Sequence, residues 1–360
     1  MTTRAPALLD IATLPMPTPE QEVWRYSRID ELQLDRYAPA PVDTTVTAAD
    51  GLLADSHDLD TSAVHDLFDE LNTAFHTTTV VRIGAGRAAV QPVVVTHTVS
   101  TGGVAVFPRL VIDAGADSEI TVIERFVSAD GVDSLVVPRL YVRAAQAARV
   151  NYLAINELGR STWLLAHQQA TGHRDSTTLL ATVSLGGDYA RVRTDARVEG
   201  QGATTRQVAV YFADGHQMHD FRTLQDHIAP KTNSDLLFKG AVQDHAKSVY
   251  TGLIRIGADA KGSAAYQTNR NLTLSEGAWA ESVPNLEIET NDVRCSHAST
   301  IGPIDDEQRF YLESRGIPPE VAERLVVLGF FNEVIEQLPV GELADELRER
   351  VAAKLQGSSA

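Results

Sequence analysis

Residues 174–231 read RDSTTLLATVSLGGDYARVRTDARVEGQGATTRQVAVYFADGHQMHDFRTLQDHIAPK. Runs of Val, Leu, Thr and Tyr alternate with polar residues and break at Gly and Asp, the pattern of short β-strands between tight turns. The same texture extends from about Val80 to Thr300. Small or polar residues that open the strand groups fall at Ala116, Ala145, Arg174, Gly202, Thr232 and Lys261, with spacings of 29, 29, 28, 30 and 29. In most intervals a second group starts half a repeat later, as in RSTWLLAHQ from Arg160, DYARVRT from Asp188 and AKSVYTGLIRI from Ala246. Two strands per coil suit a flattened β-helix, in which each turn buries its inward face against the next. A sandwich with regular turn spacing also satisfies the pattern.

Outside this stretch the periodicity becomes helical. Residues 20–32 (EQEVWRYSRIDEL) predict a short helix. A second is predicted over 62–75, where Val64, Leu67, Phe68, Leu71 and Phe75 recur at spacings of three and four. PAPVDTTVTAADG between them reads as a linker. After Pro303, Asp305 is placed to cap a helix that ends near Gly316, with Gln308 three residues on. Pro318 and Pro319 then open a helix carrying Val321, Leu325, Leu328, Phe331, Ile335 and Leu338. A last helix, Glu342 to Gln356, aligns Leu343, Leu347, Val351 and Leu355. The expected organisation is therefore a helical N-terminal region with a Pro-rich start over 1–79, a β core over 80–302 and a helical C-terminal region over 303–360.

Composition narrows the function. With 360 residues, 43% of them hydrophobic, the chain can bury roughly three quarters of its unfolded surface without staples. A formal charge of −17 repels a phosphate backbone, so nucleic acid is not an expected partner. The single cysteine rules out an internal disulfide and cannot supply the four thiolates that usually hold an iron-sulfur cluster. No secretory leader is evident and no run of about 18 apolar residues occurs, so a soluble, cytoplasmic protein with no membrane association is expected.

Few residues offer chemistry. Val293, Cys295 and His297 have the two-residue spacing that points side chains to one strand face, so Cys295 and His297 could meet one metal or cluster. The pair also admits a thiol–imidazole catalytic reading, or that of a buried cysteine beside a structural histidine. His216, His219, His227 and His245 lack any metal-binding frame and read as loop or surface histidines, His227 being the foremost exception. Asp305 and Asp306 could serve glycoside chemistry on a β-helix, although helix capping explains them. GAGR at Gly84–Arg87 is too short for a dinucleotide fingerprint, and no phosphate-binding GxxxxGK[ST] loop occurs, so no nucleotide site of its own is expected.

Three stretches together resemble the SufB/SufD family of iron-sulfur cluster assembly proteins. They are HIAPKTNSDLLFKGAVQDHAKSVYTGLIRI from His227, AAYQTNRNLTLSEGAWAESVPNLEIETNDVRCSHASTIG from Ala264, and DDEQRFYLESRGI from Asp305. WRYS at Trp24 and LNTAF at Leu71 extend the match. The resemblance implies a right-handed parallel β-helix flanked by helical N- and C-terminal regions. It implies pairing with a SufB-like chain through the β-helices, and engagement of a SufC-like ABC ATPase by the C-terminal helices, around Val321, Leu325, Leu328 and Phe331.

SufB-like chains carry a glutamate directly after the motif histidine and an upstream core cysteine. Here Ala298 follows His297 and no upstream cysteine exists, which resembles SufD. His297 is then the residue implied to assist nascent cluster formation at the heterodimer interface, with Cys295 its neighbour. The cluster is expected to be transient and completed by partner-chain ligands, and the chain to be a non-catalytic scaffold by itself. Flavin binding by the complex stays open, as does a homodimer in isolation. The rival readings are an independent carbohydrate-active β-helix enzyme and a homodimeric metal-binding protein.

Overall fold

A computed structural model describes residues 8–339, 341 and 343–357. The start of the chain through Ala7, the first residue of the last predicted helix, Glu342, and the tail from Ser358 lie outside the described residues.

Strands alternate between two sheets, one of twelve and one of nine strands among the described residues, and nearly all neighbours are parallel and non-consecutive in sequence. This is a β-solenoid and excludes the sandwich. In the nine-stranded sheet Arg149 lies beside Glu119, Thr177 beside Arg149, Thr204 beside Thr177 and Asn233 beside Thr204. One coil therefore takes about 30 residues, as the spacing predicts. The second strand groups also form, as Thr162–Gly172, Tyr189–Val198 and Lys247–Ile256.

The repeat is one of type because it marks a corner. Asp117, Ala147, Asp175, Gly202, Lys231 and Gly262 each have φ between 53° and 77°. Each corner amide donates to a carbonyl of the next, Asp117 to Gln146 at 2.8 Å, Ala147 to Arg174 at 2.9 Å and Lys231 to Lys261 at 2.9 Å. A left-handed corner favours Gly and Asp but tolerates Ala and Lys when the stacked bonds hold it.

Inward residues fill the solenoid. Leu110, Ile112, Val122, Leu140, Tyr152 and Leu180 form the core of its N-terminal coils, and Tyr211, Phe221, Leu236, Phe238 and Tyr250 continue it. The outer face of the nine-stranded sheet is also apolar, through Ile155, Val183, Val210 and Phe212, and is covered by the C-terminal helices. Burial on both faces explains why the strands here read as near-continuous hydrophobic runs.

The expectations for the N-terminal region need three corrections. Residues 20–32 do not form one helix; Glu22–Trp24 and Ile29–Glu31 are separate 3-10 turns, with Leu34–Arg36 following, and Tyr26 at φ 66° breaks the helical path. The predicted linker contains a strand, Asp43–Thr47, which pairs antiparallel with Val93–Val99, so its Thr and Val alternation is that of an edge strand. The helix predicted over 62–75 is shorter: α1 (Leu8–Ile11) is followed by α2 (Leu67–Phe75), and Val64 lies exposed ahead of the Asp66 cap, which accepts from the amides of Phe68 and Asp69.

The C-terminal helices are α3 (Asp306–Ser314), α4 (Pro319–Ile335) and α5 (Leu343–Gly357). Asp305 caps α3, accepting from Glu307 N at 2.9 Å and Gln308 N at 3.2 Å, and Gly316 ends the turn at φ 84°. In α5, Leu347 and Val351 are buried, and Leu343 and Leu355 pack on the same cluster. The α4 stripe follows the predicted one in its C-terminal part and departs from it at Val321 and Leu325. Phe331, Ile335 and Leu338 pack on the sheet together with Val327 and Val334, and Leu328 packs partly against them, while Leu325 is 44% exposed and Val321 lies outside this cluster. Helix α4 is apolar on several faces, and such a helix does not reveal by periodicity which face will be covered.

Candidate functional site

The two ends of the solenoid differ. At the N-terminal end, Asp43–Thr47 and Leu53–Ala54 close the sheets with antiparallel strands, and Leu52 plugs the core. At the other end the last strand of each sheet, Trp279–Ile288 and Val293–Gly302, has no outer neighbour among the described residues. Helices α4 and α5 do not cover this end; they lie along the sheet face.

Parallel register fixes which side chains reach the open end. Cys295 stacks on Ala265, His297 on Gln267 and Ser299 on Asn269. Ala265, Gln267 and Asn269 are fully buried inward residues, so Cys295 and His297 continue the inward column, with no further strand above them among the described residues. His297 is exposed. Cys295 is half-buried against Ile254, Ile256, Ala260 and Ala265. Leu286, Ile288 and Ile301, on inward positions of the same coil, are about 40% exposed (39%, 42% and 41%). An uncapped coil thus presents two bare strand edges around an apolar mouth holding one thiol and one imidazole.

Burial pushes the Cys295 thiol above its usual value, because an apolar setting disfavours thiolate. A thiol so tuned is a poor free nucleophile and becomes a ligand when a metal displaces its proton. Among the described residues no three His, Cys, Asp or Glu side chains group to hold a metal ion. One thiol and one imidazole fall short of the four ligands that usually hold an iron-sulfur cluster.

The remaining histidines separate by position. His216 and His245 are exposed on successive turns with rings stacked 5.4 Å apart. His219 and His227 are not surface residues as expected; both are fully buried on inward positions. His227 hydrogen-bonds Thr232 Oγ1 and Ser234 Oγ, each at 2.7 Å, and His219 faces Gly186 O at 3.2 Å. Strand alternation places both inside, beside Phe221, Thr223 and Gln225 on the same inward face. GAGR forms an exposed turn after Thr77–Ile83, and Asp306 is a solvated first-turn residue of α3.

Burial lowers the pKa of His227 to about 4 and of His219 to about 3, since both settings disfavour imidazolium. A histidine depressed from about 6.5 contributes stability that is complete above pH ~6.5 and is lost as pH falls toward its folded value. For His227 alone this amounts to roughly 3 kcal/mol. Thermal melts between pH 7.5 and 4 should therefore show a falling transition temperature, and His227→Gln should reduce that pH dependence. Equal pH profiles for the variant and the wild type would refute the assignment.

Comparison with known proteins gives the arrangement its context. The family model described as the SUF system FeS cluster assembly, SufBD core domain, matches residues 96–330. The chain belongs to the SufB/SufD family. An iron-sulfur cluster assembly SufBD family protein of Mycobacterium tuberculosis is 33% identical over 377 residues, covering 97% of this chain and 91% of the relative. SufD of Escherichia coli is 31% identical over 248 residues, 69% of this chain and 59% of that protein. SufD of Bacillus subtilis is 30% identical over 272 residues, 73% and 61% respectively. The likeness within the family is to SufD, as the CSHASTIG motif implies, and the general role is iron-sulfur cluster assembly. No helix among the described residues is long and apolar enough to cross a membrane.

Proposed function

We propose that this chain is the SufD-like scaffold of a cytoplasmic SUF-type complex, pairing through its open solenoid end with a SufB-like subunit. The observation that carries the reading is the bare pair of terminal strand edges around Cys295 and His297. Exposed edges of this length are otherwise a liability that proteins blunt or cover, and a second β-solenoid adding its own strands satisfies their backbone groups. Such a partner would also deliver the ligands that one thiol and one imidazole lack, holding a nascent cluster transiently between the chains. In this role His297 ligates iron or relays a proton, and Cys295 assists.

The division into residues 1–79, 80–302 and 303–360 goes with this role, the last part engaging a SufC-like ABC ATPase that brings the nucleotide site. Phe331 is fully buried and so supports the docking surface from beneath. We assign the contact instead to α3, which has no buried residue and exposes Phe310 (70%) and Tyr311 (57%) beside Leu325. The charged side chains of α5 are partly occupied within the subunit: Arg350 pairs with Glu157, and Lys354 with Asp214 at 2.8 Å.

Co-purification from the native source should recover a SufB-like subunit and an ABC-type ATPase, with iron and acid-labile sulfide in the complex. Recovery of the chain without any ATPase would contradict the scaffold reading.

A further inference from the structure

On the outer face of the twelve-stranded sheet, one register position carries charges of alternating sign from coil to coil. Arg82 stands beside Asp113 and Asp113 beside Arg143. After a neutral step at Thr171, Arg197 stands beside Asp226, Asp226 beside Arg255 and Arg255 beside Glu287. The contacts follow the order: Arg82 Nε to Asp113 at 3.0 Å, Arg143 Nε to Asp113 at 2.9 Å, Arg197 to Asp226 at 3.4 Å, and Arg255 to Asp226 and Glu287 at 3.9 Å each, with Glu289, two residues on, also reached by Arg255 at 3.6 Å. Glu287 lies on the terminal strand, 55% exposed, with a bare edge on its far side. The series stops on an anion where the next position would be cationic.

We propose that the Trp279–Ile288 edge takes a partner strand presenting a Lys or Arg opposite Glu287, and that this charge sets the register and excludes a second copy of this chain. The proposal rests on the SufB-like pairing argued above and adds the chemistry of its specificity. An isologous antiparallel pairing of this edge centred on Pro284 would set Glu281 opposite Glu287, and one centred on Asn285 would set Glu281 opposite Glu289. Like charges directly opposite destabilise a strand pair, and opposite charges favour it. Pro284 adds to the discrimination, since it has no amide hydrogen to donate within the edge. The homodimer left open by the sequence is therefore disfavoured in these two registers of the edge, whereas a partner with a basic side chain there completes the ladder and steers encounter with an acidic chain.

The test is capture of the SufB-like subunit, co-expressed with the SufC-like ATPase, by wild type, E287Q, E287K and D43K. Asp43 lies exposed at the opposite end of the solenoid and controls for overall charge. Expected are a loss of affinity of roughly tenfold or more for E287K, a smaller loss for E287Q and wild-type capture by D43K. The wild-type complex should weaken with salt more steeply than the E287Q complex. E287K alone should self-associate more than wild type, because it sets a cation opposite Glu281 of a second copy. Reversing the facing partner cation should restore capture of E287K. Capture of E287K with wild-type affinity and salt dependence would overturn the ladder proposal and leave the pairing intact. Failure of wild type itself to capture a SufB-like subunit would overturn the pairing and this proposal together.

Discussion

Replacing His297 with Ala should leave the subunit folded and lower the iron and acid-labile sulfide per complex by roughly tenfold or more, the range expected when a group that holds or orients a metal is lost. The side chain is exposed at the end of the inward column, so its removal uncovers no packed core. The transition temperature of the isolated subunit should barely change, since surface substitutions of this kind cost no more than about 0.5 kcal/mol. Imidazole can ligate iron or pass a proton near neutral pH, and a methyl group can do neither. Wild-type cluster content in the variant would remove His297 from the mechanism, and a large fall in transition temperature would make it a structural residue. Cys295→Ser should have the smaller effect on cluster content. That thiol is half-buried and its proton is held more tightly than usual, and partner ligands can take its place.

Phe331→Ala should destabilise the subunit by about 3–5 kcal/mol, the cost of emptying a large aromatic site in a close-packed core. Phe331 is fully buried, with its ring stacked 6.3 Å from that of Phe212 on the outer face of the nine-stranded sheet. Leu325→Ala, on the exposed side of the same helix, should change stability far less. Urea denaturation of the two variants separates the faces of α4, and a loss under about 1 kcal/mol for Phe331→Ala would contradict the packing. Deleting residues 341–360 would also uncover apolar sheet, because Leu347 and Val351 are buried against it. Loss of ATPase binding in that truncation therefore reports docking only if the remaining chain is shown to be folded.

The legible part of this protein was the part governed by local rules. Alternation and a spacing near 29 residues mark the coils because each corner returns to the same left-handed backbone, seen at Asp117, Asp175 and Gly202. Asp305 and Gly316 mark the ends of α3 because capping is decided within a few residues. Cys295 and His297 could be placed on one strand face for the same reason. The illegible part depended on residues remote in sequence. Which face of α4 is buried is decided by Phe212 and its neighbours, more than a hundred residues away, and a helix apolar on several sides carries no signal of that choice. The strand Asp43–Thr47 exists because Val93–Val99 offers it an edge. The openness of the last coil was equally hidden, since Trp279–Ile288 and Val293–Gly302 carry the same kind of alternating sequence as the covered strands before them. By itself the sequence determined the repeat spacing, the caps and the chemistry available on the final strand, while a sandwich stayed compatible with that spacing until the parallel pairing excluded it. Only the tertiary structure decided that this strand ends the stack with its inward side chains uncovered, because the burial of a strand depends on what lies beside it in space.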